Sequence, residues 1–280
     1  MYAVQRRAHR SARILSLTLE ASADIRYLGT GDAFDEQRPN TSLVVTYTAS
    51  EGPLAGWGPR RFQHTGPYRL LVDCGYAIPH ALWRVSTDPN YLDGIYITHA
   101  HADHVFGLPA VIARLGEDGR TRPLILAGGP SSRAAIERVL ELGYPGMIQK
   151  TPFPLDFREI EAPTGLGPWT ARTARSLHTQ PDDALRLDAG GLSVAISGDG
   201  APSAATRALF AGVRLLVHEA YYTDRNPKTG HASVPDLIEL AESAGIGALH
   251  LVHRRRGTPA PDPGPRGHWP NPGDVYQVGP

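Results

Sequence analysis

The stretch Thr98-His99-Ala100-His101-Ala102-Asp103-His104 decides the fold of this chain. It follows an apolar, β-favouring run at residues 95–97 and precedes a mostly apolar segment at residues 105–115 that favours a helix. We therefore expect these side chains on a loop between a strand and a helix. Such loops lie at the carboxyl edge of a sheet, where α/β proteins commonly bind ligands.

The residue types in this stretch indicate a metal site. His99 and His101 are two residues apart, so on an extended backbone they can point the same way. Asp103 and His104 are adjacent and diverge, so they can serve a second ion or orient the first ligands. Neutral imidazole together with carboxylate suits Zn²⁺ or another borderline divalent metal. The alternative is a surface loop that happens to be rich in His, but the full pattern directly after a buried strand favours the metal site.

Composition excludes several classes of protein. The chain has 280 residues, and 41% of them are hydrophobic, which allows one large α/β domain or two small ones. Basic and acidic residues both number 28, so no overall charge draws the protein to nucleic acid or to anionic lipid. The single cysteine, Cys74, excludes an internal disulfide, and no apolar run approaches the ~18 residues of a membrane span. We expect a cytoplasmic protein.

The pattern of the chain predicts three parts. Residues 1–22 form a basic N-terminal extension that lacks the apolar segment of a signal peptide. Residues 23–258 form the folded domain, and residues 259–280 a Pro/Gly-rich tail that we expect to be largely irregular. Residues 51–67 are also rich in Gly and Pro and predict a long loop, either solvated or acting as a substrate-facing flap.

Strand-like and helix-like segments alternate through the domain. Strands are predicted at residues 25–28, 43–47, 69–73, 95–97, 124–126, 171–177, 192–196, 213–217 and 248–252. Helices are predicted at residues 78–84, 105–115, 132–142, 202–211 and 233–244.

Ligand-type side chains recur just past the ends of these strands. The residues in question are His99, His178, Asp199, His218 and His253. Because the carboxyl ends of strands converge on one edge in a layered α/β fold, these side chains can meet although they are far apart in sequence. One such residue alone is more often structural, but five at equivalent places indicate a shared site.

With this order of residues, the chain resembles the metallo-β-lactamase-fold hydrolases. The resemblance covers residues 25 to 253 and implies an αββα sandwich of two similar halves, with two divalent metal ions at the sheet edge. One ion would be held by His99, His101 and His178. The second would be held by Asp103, His104 and His253, with Asp199 as the bridge. Zn²⁺ is the expected metal, with Mn²⁺ or Fe²⁺ as alternatives.

Four short motifs are similar to the ribonuclease Z and phosphodiesterase branch of those hydrolases. They are Leu28-Gly29-Thr30-Gly31, Val72-Asp73-Cys74-Gly75, His218-Glu219-Ala220 and His231-Ala232-Ser233. The resemblance implies that His231 contacts the scissile phosphate and helps the leaving group. Asp103 would both bind metal and orient or deprotonate the nucleophile.

The chain also departs from that branch. Only 21 positions separate His178 from Asp199, the interval in which tRNA-processing ribonuclease Z carries a long arm that grips tRNA. Neutral net charge points the same way, since binding of a polyanion relies on phosphate neutralisation. We therefore expect a small-molecule or short nucleotide substrate rather than tRNA. A homodimer is implied by the resemblance alone.

Three functions remain open from the sequence. The first is a dinuclear-metal-dependent hydrolase of phosphodiesters that uses a metal-bridging hydroxide. The second is a metal-dependent carboxylic ester, lactone or amide hydrolase on the same site. The third is a non-catalytic member that uses the fold to bind a partner, which the complete set of metal-binding side chains makes the weakest of the three.

Overall fold

Two seven-stranded sheets pack face to face, with helices on their outer faces, in the computed structural model of this protein. The structure describes residues 21–49, 66–130, 132–226 and 230–279. Residues 1–20 of the predicted N-terminal extension and residues 51–65 of the predicted loop at 51–67 lie outside the described residues. This architecture confirms the prediction of an αββα sandwich of two similar halves.

The first half supplies most of one sheet. Its strands are β1 (Ser22–Gly29), β2 (Ser42–Thr48), β3 (Tyr68–Val72), β4 (Gly94–Ile97), β5 (Leu124–Gly128) and β6 (Leu155–Glu159). Its helices are α1 (Ile78–Val85), α2 (Ala102–Val105), α3 (Leu108–Glu117), α4 (Ser132–Gly143) and α5 (Met147–Lys150).

The second half supplies the other sheet and one edge strand of the first. Its strands are β7 (Thr164–Leu166), β8 (Trp169–Arg175), β9 (Asp183–Ala189), β10 (Leu192–Ile196), β11 (Leu215–Glu219), β12 (Ala248–Val252), β13 (Gly267–His268) and β14 (Val275–Val278). Its helices are α6 (Ala204–Phe210) and α7 (Val234–Ser243).

The two sheets have the same plan. The first runs β14-β1-β2-β3-β4-β5-β6, antiparallel as far as β3 and parallel from β3 to β6. The second runs β13-β12-β11-β10-β9-β8-β7, parallel from β13 to β10 and antiparallel from there. Parallel strands direct their carboxyl ends to one edge, so β3, β4, β10 and β12 can present the residues that follow them to a common site.

Three apolar layers hold this arrangement. The middle layer lies between the sheets and includes the fully buried rings of Tyr27 and Trp169. The outer layers lie under the helices, with Leu82 and Val111 in the first half and Leu237 in the second. Each such buried aliphatic side chain contributes about 1.5–3 kcal/mol to folding. The layers keep the sheet edges, and therefore the site, in a fixed position.

The C-terminal residues differ from the sequence prediction. The segment after residue 258 was expected to be largely irregular, and this was wrong for two stretches: β13 pairs with β12, and β14 pairs antiparallel with β1, where Val278 lies opposite Ala23. The physical reason is that short edge strands gain their stability from a sheet that already exists, so they need little sequence pattern of their own.

The proposed domain boundaries at residues 22–23 and 258–259 stay a prediction. Among the described residues, no helix has the length and apolar character needed to cross a bilayer.

Candidate metal centre

All seven predicted metal ligands lie in two adjacent groups at the edge of the sandwich. The ligand atoms within each group lie within 4.8 Å of one another. The first group is His99, His101 and His178, and the second is Asp103, His104, Asp199 and His253.

The start of α2 is fixed by the loop that follows β3. The backbone N–H of Cys74 donates to the carbonyl of His104 at 2.7 Å. Gly75 lies so close to this helix that an added Cβ would be 1.8 Å from the carbonyl oxygen of Asp103. Only glycine permits that approach, which holds Asp103 and His104 in place from behind.

The first group is a set of three facing imidazoles. His99 Nε2 lies 2.9 Å from His101 Nδ1, and His178 Nε2 lies 3.2 Å from the same atom. The Nδ1–H of His178 donates to the carbonyl of Gly230 at 2.9 Å, which turns its Nε2 toward the group. Burial, with the neighbouring His99 and His178, lowers the pKa of His101 to about 4, and burial also lowers the pKa of His178. The lowered pKa values favour the neutral form of His101 and His178, which is the form that binds a metal.

The second group is organised around the carboxylate of Asp199. Its Oδ2 lies 3.0 Å from His104 Nε2, 3.1 Å from His253 Nε2 and 3.8 Å from His99 Nε2, so one oxygen faces both groups. Burial would raise the pKa of Asp199, but His104 and His253 hold it well below its usual range. Asp103 adds a second carboxylate, with Oδ2 3.3 Å from His104 Nε2.

The arrangement fits bound cations. Asp199 Oδ1 is buried and has no hydrogen-bond partner within the described part of the chain. A buried, ionised oxygen without a partner is costly, and coordination to a cation removes that cost. Imidazole nitrogens and carboxylate oxygens are also the donors that zinc and similar divalent ions prefer. The side chains therefore fit the metal ions that the sequence implies.

One further carboxylate, Asp73, orients a histidine, and a second, Asp182, lies beside another; sequence reasoning gave neither of them a role at the metal centre. Asp73 Oδ2 accepts the Nδ1–H of His104 at 2.8 Å, and Asp182 Oδ1 lies 3.3 Å from His99 Nδ1. A carboxylate that accepts the second ring N–H, as Asp73 does, fixes the ring orientation and raises the basicity of a metal-binding imidazole. Asp73 carried a signal, because it follows β3 as His99 follows β4. Asp182 carried none, since the sequence did not predict the strand that it precedes, β9.

His218 differs from the sequence expectation. It lies within β11 rather than past its end, is fully buried, and packs edge-on against the ring of Phe210 at 5.6 Å. Its Nδ1–H donates to the carbonyl of Glu219 at 2.7 Å. Successive side chains of a strand alternate between its faces, and this one points to the helical layer. His218 therefore does not join the other strand-end residues.

His231 lies beside both groups and belongs to neither. Its ring stacks on Tyr221 at 4.7 Å and lies 5.1 Å from the ring of His178 and 5.8 Å from that of His253. About a quarter of its side chain is exposed, at 24%, so it can reach a bound molecule.

Glu219 fixes the backbone next to His231. It is completely buried, and its carboxylate accepts the backbone N–H groups of Tyr221 and Ala232. Its Oε2 lies 3.5 Å from His231 Nδ1. Burial raises the pKa of Glu219 to about 7, although the nearby His231 lowers it in part. Burial lowers the pKa of His231, but Glu219 has the larger effect, so the pKa of His231 is raised.

A cavity of about 360 Å³ opens above both groups. Its floor includes His101, Asp103, Asp199 and His253, and His231 forms part of its wall. This volume is at the lower end of the ~300–1,000 Å³ typical of small-ligand sites. A small molecule can therefore reach the ligand groups directly.

Comparisons of the sequence identify relatives. A family model described as "Anti-Pycsar protein Apyc1" matches residues 62–255. Ribonuclease BN of Citrobacter koseri is 28% identical over 235 residues, which cover 65% of this chain and 77% of that protein. Ribonuclease BN of Salmonella paratyphi B is 29% identical over 248 residues, covering 68% and 80%.

Comparisons of the structure identify the fold. The metallo-beta-lactamase fold protein YhfI from Bacillus subtilis superposes with a TM-score of 0.73 at 19% identity, covering 92% of this chain and 99% of that one. The short form of human tRNase Z gives 0.69 at 20% identity, covering 90% and 98%. A diphosphatase from the PhnP family gives 0.64 at 18% identity, covering 92% and 98%. The prediction of a metallo-β-lactamase fold is confirmed.

The orienting role of Asp73 leads to a prediction. Asp73→Asn keeps the side-chain volume but replaces the acceptor of the His104 Nδ1–H by an amide. We expect Zn²⁺ affinity to fall by roughly 10- to 100-fold while the protein stays folded. Competition with a chromophoric chelator measures this affinity.

The matched control is Asp93→Asn. Asp73 accepts the backbone N–H of Thr98, and Asp93 likewise accepts that of Arg69 and pairs with Arg122 away from the metal centre. Wild-type affinity in Asp73→Asn, or an equal loss in Asp93→Asn, would contradict the orienting role.

Proposed function

This chain belongs to the family described as anti-Pycsar protein Apyc1, and from its candidate metal centre we propose that it is a metal-dependent phosphodiesterase. The observation that carries the proposal is the pair of ligand groups that share Asp199 at the floor of a cavity, with the non-ligand His231 beside them. The relatives named ribonuclease BN, and the tRNase Z and diphosphatase that share the fold, agree with the predicted class of metal-dependent hydrolase.

Two divalent ions would be held at this site. His99, His101 and His178 would bind the first, and Asp103, His104 and His253 the second, with Asp199 between them. Zn²⁺ suits the mixture of imidazole and carboxylate, and Mn²⁺ and Fe²⁺ are compatible with it. Bound there, the ions would supply a water of lowered pKa and positive charge against the charge that develops on a phosphate.

The chain's own residues would position and protonate the substrate. Asp103 lines the cavity and can orient the attacking water or accept a proton from it. His231 faces the same cavity and is free of both ligand groups, so it can donate a proton to the leaving oxygen. Glu219 anchors the backbone next to His231 and would keep the imidazole within reach of the leaving oxygen.

The substrate is proposed to be a small molecule or a short nucleotide rather than tRNA. The connection from β8 to β9 spans residues 176–182, and β9 and β10 are joined at Gly190 and Gly191. Neither connection has the length of an arm that grips tRNA. The overall charge of zero supports the same assignment, since a long polyanion binds chiefly through its phosphates. A cytoplasmic location and a homodimer also stay proposals.

The proposed chemistry is tested with bis-p-nitrophenyl phosphate, p-nitrophenyl acetate and a precursor tRNA. We expect the metal-replete protein to hydrolyse the phosphodiester, to lose this activity with chelator and to regain it with Zn²⁺. Asp199→Ala should lose nearly all turnover, whereas Asp188→Ala, which changes a carboxylate paired with Arg172 and Arg186 on the sheet surface, should retain it.

Two outcomes would contradict the proposal. Faster metal-dependent hydrolysis of the acetate ester would favour the carboxylic ester hydrolase on the same site. Efficient, site-specific removal of a tRNA 3′ trailer would contradict the small substrate.

The role of His231 is tested by the dependence on the leaving group. His231→Ala removes the proton donor, so we expect kcat to fall by roughly 10²–10⁴-fold on a substrate with an alkoxide leaving group. The loss should be much smaller with p-nitrophenolate, which leaves without a proton. Equal losses on both substrates would reject the general-acid role, and loss of metal in the same variant would show that His231 is a ligand.

A further inference from the structure

Phe34 is an exposed aromatic residue at the mouth of the cavity. It lies in the loop that follows β1, lines the cavity above the ligand groups, and is 72% exposed. A single exposed apolar residue is ordinary on a protein surface. This one is distinguished by its surroundings, which hold the ring in place.

One buried carboxylate, that of Asp32, binds the backbone of Phe34 and the backbone of Arg256. Asp32 is 1% exposed; its Oδ1 accepts the N–H of Phe34 at 2.9 Å and its Oδ2 accepts the N–H of Arg256 at 2.8 Å. The loop is held further at the carbonyl of Ala33, which accepts from the hydroxyl of Tyr76 and from Nδ2 of Asn40. The position of Phe34 is therefore built by several contacts that converge from distant parts of the chain.

The guanidinium of Arg256 completes the arrangement. Its central carbon lies 5.4 Å from the centre of the Phe34 ring, within the range of a cation–π contact. Arg256 lines the same cavity as Asp199 and His231. A flat apolar surface and a positive charge are thus presented together, next to the ligand groups.

We propose that Phe34 and Arg256 form a platform for a nucleobase of the substrate. The base stacks on the exposed face of Phe34, and Arg256 holds the ring from its other side and attracts the negative phosphate into the cavity. Stacking of a base on an aromatic side chain tolerates different bases, because each has a π-face. This inference rests on the proposed function and assigns two residues that would make the enzyme favour substrates with a nucleobase over simple alkyl phosphodiesters.

Two substrates with the same leaving group test this platform. They are thymidine 5′-(p-nitrophenyl phosphate) and methyl p-nitrophenyl phosphate, and the quantity measured is the ratio of their kcat/KM values in the metal-replete protein. In the wild type we expect this ratio to favour the nucleoside substrate. In Phe34→Ala we expect the ratio to fall by roughly 5- to 150-fold, the range that corresponds to loss of one base–aromatic stack.

Two further variants control the measurement. Phe34→Trp keeps a stacking surface and should preserve the ratio. Tyr144→Ala removes another exposed aromatic side chain, in a groove between α3 and α5 away from the metal centre, and should leave the ratio unchanged. Thermal unfolding of each variant verifies that it is folded.

The outcomes separate this inference from the proposed function. If the wild type hydrolyses both substrates but Phe34→Ala leaves their ratio unchanged, or alters it no more than Tyr144→Ala does, the platform is overturned and the phosphodiesterase stands. If the wild type hydrolyses neither substrate with any of the three metals, the proposed function is overturned, and the platform with it.

Discussion

The buried carboxylate of Asp199 is the constraint on which the site depends. It lies among His104, His253 and His99, with one oxygen that faces all three and another without a partner in the described residues. Burying an ionised carboxylate costs several kcal/mol unless charges and hydrogen bonds offset the loss of water. The side chains around it must therefore be held in position, and both halves of the fold contribute to that.

Neither half could build the centre alone. The first supplies the residues after β4 and on α2, and the second supplies His178, Asp199 and His253 after the ends of its own strands. Since the sheets meet through a continuous apolar layer, the distance between these two sets is set by packing far from the chemistry. Asp73 follows β3, which pairs with β4 in the same sheet, so its carboxylate lies next to His104.

Much of this could be predicted from the sequence, because ligand-type residues at strand ends carry a clear pattern. The pattern predicted a shared site at the sheet edge, and the family resemblance implied the sandwich and the two ligand groups. The pattern failed at His218. The strand β11 ends at Glu219, later than the predicted end at residue 217, so His218 lies within the strand and its side chain points to the helical layer. It also missed Asp182, whose only mark is its place before an unpredicted strand, and the edge strand β14, which depends on pairing with β1. In each case the decisive contact is tertiary, and no local pattern reports it.

We propose that the two groups form one dinuclear centre with Asp199 between the two ions. Elemental analysis by inductively coupled plasma mass spectrometry on metal-replete protein measures this most directly. We expect two divalent ions per chain in the wild type and at most one in Asp199→Ala, with the fold retained in both. A wild type that holds no more than one ion, or an Asp199→Ala variant that still holds two, would contradict it.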